Sequence, residues 1–231
     1  MNYCLERGRW ILKKLISLIT SISLASIFLA GCSNSNETSS KKLSSSSTNV
    51  SENTSNIKDE KKQLEPTIPK LSTQDIIGAD MAEIDYASSD KVIFHGYFGL
   101  FVYDLNNLSI FRSLDLQSIN CSYTQGDSYC NVEVSTDGNK VQLHHNDSEK
   151  MYVYSISDNT LFEEKYVHME NSFNDNLVEI GEAIGRRDRS LSCNAVKLDN
   201  GEYGYLTASN GTIESLNYIR GDMIYSLFNA K

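Results

Sequence analysis

Basic residues are in short supply. Across 231 residues, 21 Lys and Arg face 30 Asp and Glu, and over the 199 residues after Cys32 the balance is 17 to 29, a formal charge of −12. Nucleic acid and anionic lipid both require a basic face, so this balance excludes them as electrostatic partners. A comfortable membrane span is missing as well: the uncharged apolar run 15–28 is 14 residues long, against the roughly 20 that a transmembrane helix needs. No H-E-x-x-H and no C-x-x-C occurs, which removes the familiar local zinc motifs. Long helical periodicity is absent, which excludes a helical bundle. Proline is confined to Pro66 and Pro69.

What is present begins with an address. Arg7, Arg9, Lys13 and Lys14, against the single acid Glu6, precede the apolar run, and small residues Ala30 and Gly31 follow it. A positive start, an apolar core of this length and a small-residue exit are the parts of a secretory signal. Leu29-Ala30-Gly31-Cys32 resembles the lipobox of bacterial lipoproteins. The resemblance implies a diacylglycerol on the Cys32 thiol and a cut just before it, with residues 1–31 as the signal peptide. Two acyl chains hold a protein far better than one, at about 0.8 kcal/mol per buried CH₂. The expected location is the extracytoplasmic face of a membrane, with membrane lipid as the first partner.

From Ser33 to Asn56 nearly every residue is Ser, Asn, Thr, Lys or Glu, followed by the charged run 58–62 and the two prolines. Such a segment has too little to bury and reads as a disordered tether over 32–70. As a flexible coil of about 38 residues it would span roughly 35 Å, and its plainest role is that of a passive spacer.

Residues 71–231 form one domain's worth of chain, long enough to bury a sizeable core. The pattern is of short strands cut by turns: 91–95, 99–105, 109–116, 131–135, 140–144, 151–156, 161–167, 195–198, 203–208, 212–219 and 223–228, with turns at Asn106-Asn107, Asp137-Gly138, Asp158-Asn159, Asn200-Gly201 and Asn210-Gly211. Asp-Gly and Asn-Gly pairs between alternating apolar residues are strong hairpin signals. An all-β, antiparallel domain follows, with residues 170–191 expected as a long loop or a short helix. Leu100 to Phe111 also aligns with Met151 to Phe162 at a shift of 51, and a second step carries Tyr103 and Tyr154 to Tyr205. A period of this size with several short strands per unit suggests about three propeller-blade-like meanders. Three units are fewer than a usual ring, so closure stays open.

Of the five cysteines, Cys4 falls in the signal and Cys32 at the lipobox. Cys121 and Cys130 bracket the eight-residue stretch SYTQGDSY. Outside the cytoplasm the expectation is a disulfide closing that loop, at about 2–3 kcal/mol by chain entropy, the alternative being two reduced, buried thiols. Cys193 is left over and reads as a buried apolar thiol.

Several fragments imitate catalytic sites. Ser88-Ser-Asp-Lys91 fits S-x-x-K and Ser157-Asp158-Asn159 fits S-D-N of penicillin-recognising enzymes, but that chemistry needs serine and lysine one helical turn apart. Both fragments lie in strand turns and no K-T-G follows, so they are chance matches. The histidines are His95, His144, His145 and His168. Neighbours on a strand point to opposite faces, so His144 and His145 do not chelate one ion together, and neither a metal nor another cofactor is expected. Arg186, Arg187 and Arg189 could take a phosphate or carboxylate and read first as a solvated loop. Tyr97, Tyr103, Tyr154 and Tyr205 are the candidate recognition surface, with core packing as the competing reading of the same repeat-related tyrosines.

Residues 85–170, through GLFVYDL and RSLDL, CSYTQGD with its later Cys, and VSTDGNKVQLH, resemble the extracytoplasmic tail of membrane-bound antirepressor-type metallopeptidases, the β-lactam-sensing regulators. The resemblance implies a sensor or ligand-recognition module displayed outside the cell. The peptidase motif, further spans and the penicillin-binding triad are missing, so neither activity carries over. The expected function is therefore a lipid-anchored, non-catalytic binding or sensing module for a protein or cell-envelope ligand. The alternatives are an enzyme using loop acids such as Asp80, Asp104 and Glu133, or a structural envelope component.

Overall fold

The computed structural model describes residues 61–70, 82–96, 99–122, 130–186, 190–208 and 215–229. The lipobox with Cys32, most of the tether, Asp80 and Tyr97 lie outside these residues. No helix among the described residues is long and apolar enough to cross a membrane.

The architecture is all-β, in three antiparallel sheets. The first is a meander of β2 (Ala82–Ala87), β3 (Lys91–Gly96), β4 (Gly99–Asp104) and β5 (Ser109–Asp115). The second runs β6 (Cys130–Val134), β7 (Lys140–His145), β8 (Lys150–Ser155) and β9 (Thr160–Lys165), with β1 (Lys62–Leu64) added at the outer edge of β9. The third comprises β10 (Leu177–Glu179), β11 (Leu191–Lys197), β12 (Tyr203–Ala208), β13 (Ser215–Arg220) and β14 (Met223–Asn229) in that order. Each turn follows from its residues. Asp104 Oδ1 accepts from Asn106 N at 2.8 Å and Asn107 N at 2.9 Å, while Gly138 supplies a φ of +64°. That is short-range Asx and glycine turn chemistry.

The strand nearest the middle, β2, packs against β6, β11 and β12, so all three sheets meet along it. Its burial is almost complete, including Asp85. Named side chains fasten the junction: Asn194 Nδ2 donates to Ile84 O at 3.1 Å, and an Arg220 guanidinium nitrogen to Ser88 O at 3.1 Å. Arg112 Nε donates to Ile156 O at 3.1 Å, and the Phe101 and Phe228 rings meet edge-on at 5.6 Å. One continuous apolar core, including Ile84, Phe94, Leu143, Tyr154 and Tyr218, runs through all three sheets.

Two elements differ from expectation, and a third, residues 170–191, keeps the short helix expected there. Within the stretch read as tether, Lys62–Leu64 forms a strand that pairs with Leu161–Glu163. Backbone pairing along an edge strand asks little of side-chain composition. Lys61 adds to it, lying 3.3 Å from a Glu164 carboxylate oxygen and 4.1 Å from the centre of the Phe162 ring. β2 itself was hidden by the acids in AEIDYA. The stretch 170–191 holds a 3-10 turn over Phe173–Asn176, the short strand β10 and a one-turn helix, α1 (Ile180–Ile184), ended by Gly185 at φ +71°.

Candidate functional site

The second sheet and the turn leading into it bring three chemically capable side chains together. After β5 the chain folds tightly: Asp115 Oδ1 accepts from Gln117 N at 2.9 Å, and Cys121 N donates to Leu116 O at 2.8 Å. Asn120 takes a left-handed φ of +56°, a region that asparagine tolerates. This holds Cys121 inward, 2% exposed, beside the start of β6. Cys130 opens β6 and is the direct cross-strand partner of His145 at the end of β7. Cys121 Sγ, Cys130 Sγ and one ring nitrogen of His145 all lie within 4.8 Å of one another.

The expected Cys121–Cys130 disulfide is not formed here. Both cysteines are free, buried thiols. Their mutual hydrogen bond, and then burial, push the Cys130 thiol far above its ordinary pKa. The two sulfurs are neighbours, as their spacing in sequence suggests, and the Cys130 thiol donates to the Asn131 carbonyl at 3.8 Å. His145 Nε2 lies 2.5 Å from the Asn120 carbonyl oxygen. A carbonyl can only accept, so Nε2 carries the ring hydrogen.

Next to this cluster lies a cavity of about 220 Å³, lined in part by Asn120, His145, Tyr152, Lys150 and Glu163. Lys150 and Glu163 form an ion pair, and the hydrogen bond from Lys150 holds the Glu163 carboxyl below its ordinary pKa. Burial, then the Glu163 charge, push the Tyr152 hydroxyl up. The row Leu143–Tyr152–Glu163 is in direct cross-strand register, so the cavity wall is one face of the sheet. Its volume is below the roughly 300–1,000 Å³ of drug-sized ligand pockets.

His144 turns to the opposite face of β7, stacking on Tyr166 at 3.7 Å and bonding Ser148 O at 2.8 Å. His168 is exposed. His95 is buried against Asp85, Nδ1 to Oδ2 at 2.8 Å, with side chains 4% and 6% exposed. This pair fastens β2 to β3 and is closed to solvent.

The tyrosines expected to face a ligand are largely core. Tyr103 is 3% and Tyr154 0% exposed, and the Tyr154 hydroxyl is spent on Asn159 Oδ1 at 2.7 Å within its own hairpin. Tyr205 is half-buried and packs on Ile180, Leu191 and Ala195. Repetition of an aromatic at one strand position marked the buried face, because that is where a large ring is most stabilised. Tyr97 lies outside the described residues. Ser88 bonds Asp90 at 2.5 Å in a turn and Lys91 Nζ reaches Asn139 at 3.1 Å, so no serine–lysine dyad forms. Ser157 sits in the β8–β9 turn. Asp104 is tied to its own turn, and hydrogen bonds from Asn107 hold its pKa down. Glu133 is half-buried on β6, and Arg186 is exposed while its two companions lie outside the described residues. Cys193 is half-buried on β11.

His145 was the partner that sequence reasoning missed. Its signal was the ladder register, which links residue 145 to residue 130 and emerges only once β6 and β7 are paired.

No known protein family matches the sequence, and no curated protein matches it. Among solved structures, similarity is found to Drosophila Plexin A in complex with Semaphorin 1b, at 13% identity and a TM-score of 0.24, covering 69% of this chain and 31% of that one. Drosophila Semaphorin 1b, extracellular domains 1–2, gives 14% identity and a TM-score of 0.22, covering 70% and 31% respectively. The chain thus spans less than a third of either structure.

Proposed function

We propose that the chain is a membrane-anchored lipoprotein that displays a non-catalytic β-repeat binding or sensing module outside the cytoplasm. The observation that carries this reading is Leu29-Ala30-Gly31-Cys32 directly behind a basic start and a 14-residue apolar run. Acidic charge leaves the lipid as the only strong hold on a membrane. In support of blade-like repeats, β4 and β8 are each the third strand of their meander and lie 51 residues apart in sequence. The ligand-facing part is the second sheet around the 220 Å³ cavity, whose ammonium, carboxylate and phenol suit a small polar group or a single side chain of a protein partner.

The test is made on the full chain in its host. Wild type should incorporate a labelled fatty acid, partition into detergent and be shaved by protease added to intact cells. The Cys32→Ala variant should lose the label. Unlabelled wild type, or a labelled Cys32→Ala variant, would overturn the anchor.

A further inference from the structure

We propose that Cys121, Cys130 and His145 form a binding site for a thiophilic divalent cation, zinc above all, with two thiolates and one imidazole as ligands. The site stands apart from the anchor and does not rest on it.

The first support is geometric. A tetrahedral zinc with Zn–S near 2.3 Å and Zn–N near 2.0–2.1 Å sets its ligand atoms about 3.5–3.8 Å apart. The three donor atoms already lie within 4.8 Å of one another, so rotations of side chains alone can close the set. The second support is the scaffold. Cys130 and His145 are opposed on one ladder, and Cys121 is fixed by the backbone bond to Leu116.

The third support is the tautomer of the histidine. With the hydrogen on Nε2, given to the Asn120 carbonyl, the lone pair of the neutral ring sits on Nδ1. Metal-binding histidines characteristically give their other N–H to a carbonyl or carboxylate in this way. Asn120 is adjacent in sequence to Cys121, so one tight turn supplies both a thiolate and the group that orients the imidazole.

The donor set selects the metal. Two sulfurs and a nitrogen suit zinc or another soft cation and disfavour magnesium, calcium and manganese, which prefer oxygen. On binding, each thiol gives up its proton to solvent as its bond to the metal forms, and no oxidation state changes. Three protein ligands leave the fourth tetrahedral position to water or an incoming group. His145 also lines the cavity of about 220 Å³, so a small donor ligand there sits next to the metal.

The test uses the full chain purified in detergent under reducing conditions. After chelation and gel filtration, titration with Co²⁺ should give tetrahedral d–d bands and a thiolate-to-cobalt charge-transfer band, saturating at one equivalent and bleached by Zn²⁺. Elemental analysis should find one zinc per chain after reloading. Cys121→Ser, Cys130→Ser and His145→Ala should each weaken binding by more than about 100-fold, beyond what loss of an outer partner causes. His144→Ala, on the opposite face, should bind as wild type does. An octahedral cobalt spectrum, saturation that fails at one equivalent, or a His144→Ala loss equal to that of His145→Ala would overturn the site. So would an intact mass showing Cys121 and Cys130 oxidised to a disulfide in the presence of reductant. Because the spectrum of the wild-type chain is itself decisive, a variant that fails to fold does not leave the question open.

Discussion

Gly204 on β12 lies under the ring of Tyr218 on β13, and this contact makes a sharp test of how the third sheet is packed. A Cβ built at Gly204 would sit on the Tyr218 hydroxyl and only 2.7 and 2.8 Å from two carbons of the ring. Tyr218 is completely buried, and its hydroxyl has no hydrogen-bond partner among the described residues. Burial pushes that hydroxyl well above its ordinary pKa. A flat ring over a strand glycine covers backbone that no side chain protects, and the hydroxyl is carried into the core along with it.

The magnitudes follow. Gly204→Ala overpacks a closed site, at about 1–3 kcal/mol. The lower flexibility of the unfolded Ala chain returns about 0.4–1 kcal/mol of this. A net loss of about 1–2 kcal/mol is expected. Tyr218→Phe removes a buried, unpaired hydroxyl whose desolvation opposes folding by about 1–3 kcal/mol, at the expense of a few contacts of one oxygen. It should be neutral or stabilise by about 1 kcal/mol. In the double variant the oxygen clash is gone but the ring carbons remain, so the loss should be smaller than the sum of the singles by about 0.5–1 kcal/mol. Urea unfolding followed by circular dichroism reads this out, with an m-value of about 2 kcal/mol/M turning the Gly204→Ala loss into a midpoint shift of roughly 0.5–1 M. A Tyr218→Phe variant weakened by more than about 1 kcal/mol would mean that the hydroxyl has a partner. Additive singles would mean that ring and glycine do not touch.

Two further outcomes test the turns. Asp137 accepts from Ser135 Oγ at 2.5 Å and Asn139 N at 3.0 Å, and its pKa is held below the ordinary value, by Ser135 first. With the folded pKa depressed, its contribution is present above the unfolded carboxylate value and is lost as pH falls through the folded one. Asp137→Asn should therefore flatten the acid limb of the melting-temperature profile, and an unchanged limb would refute the assignment. Tyr154→Phe removes the bond to Asn159, which sits at φ +53°, and should cost about 0.5–1.5 kcal/mol. Asn159→Gly keeps the backbone conformation and loses the same bond. Thermal melts of the two singles and the double should show the second substitution adding little, and full additivity would count against the bond.

Most strands and turns were legible because each is a local pattern. Asp137-Gly138 and Asn200-Gly201 fix hairpins regardless of what the sheets do later, and Gly138 and Gly201 adopt the positive φ such turns need. What was not legible is what depends on the sheets meeting. β2 reads as a polar stretch because Glu83 and Asp85 interrupt it, yet Asp85 is buried, since His95 from the next strand supplies its partner. Tyr103 and Tyr154 stand at repeat-related positions in either reading, and only the arrangement of three sheets around β2 decides that those positions face inward. β1 carried almost no side-chain signal, because its main contribution is the main chain.

The cysteine pair shows the same division most clearly. Eight residues between Cys121 and Cys130 are enough to say that their sulfurs can meet, and that alone favours a cross-link. The addition of His145 depends on β6 and β7 pairing so that residue 145 opposes residue 130, and a one-residue slip would present His144 instead. The side-chain alternation that rules out joint chelation by His144 and His145 is therefore what leaves His145 alone beside the two thiols, while His144 stacks on Tyr166 behind the sheet. Two sulfurs by themselves have a bond to one another as their natural end state. Two sulfurs beside an imidazole whose tautomer is set by the Asn120 carbonyl have another, in which a cation takes both sulfurs and their oxidation to a disulfide is blocked for as long as it stays bound.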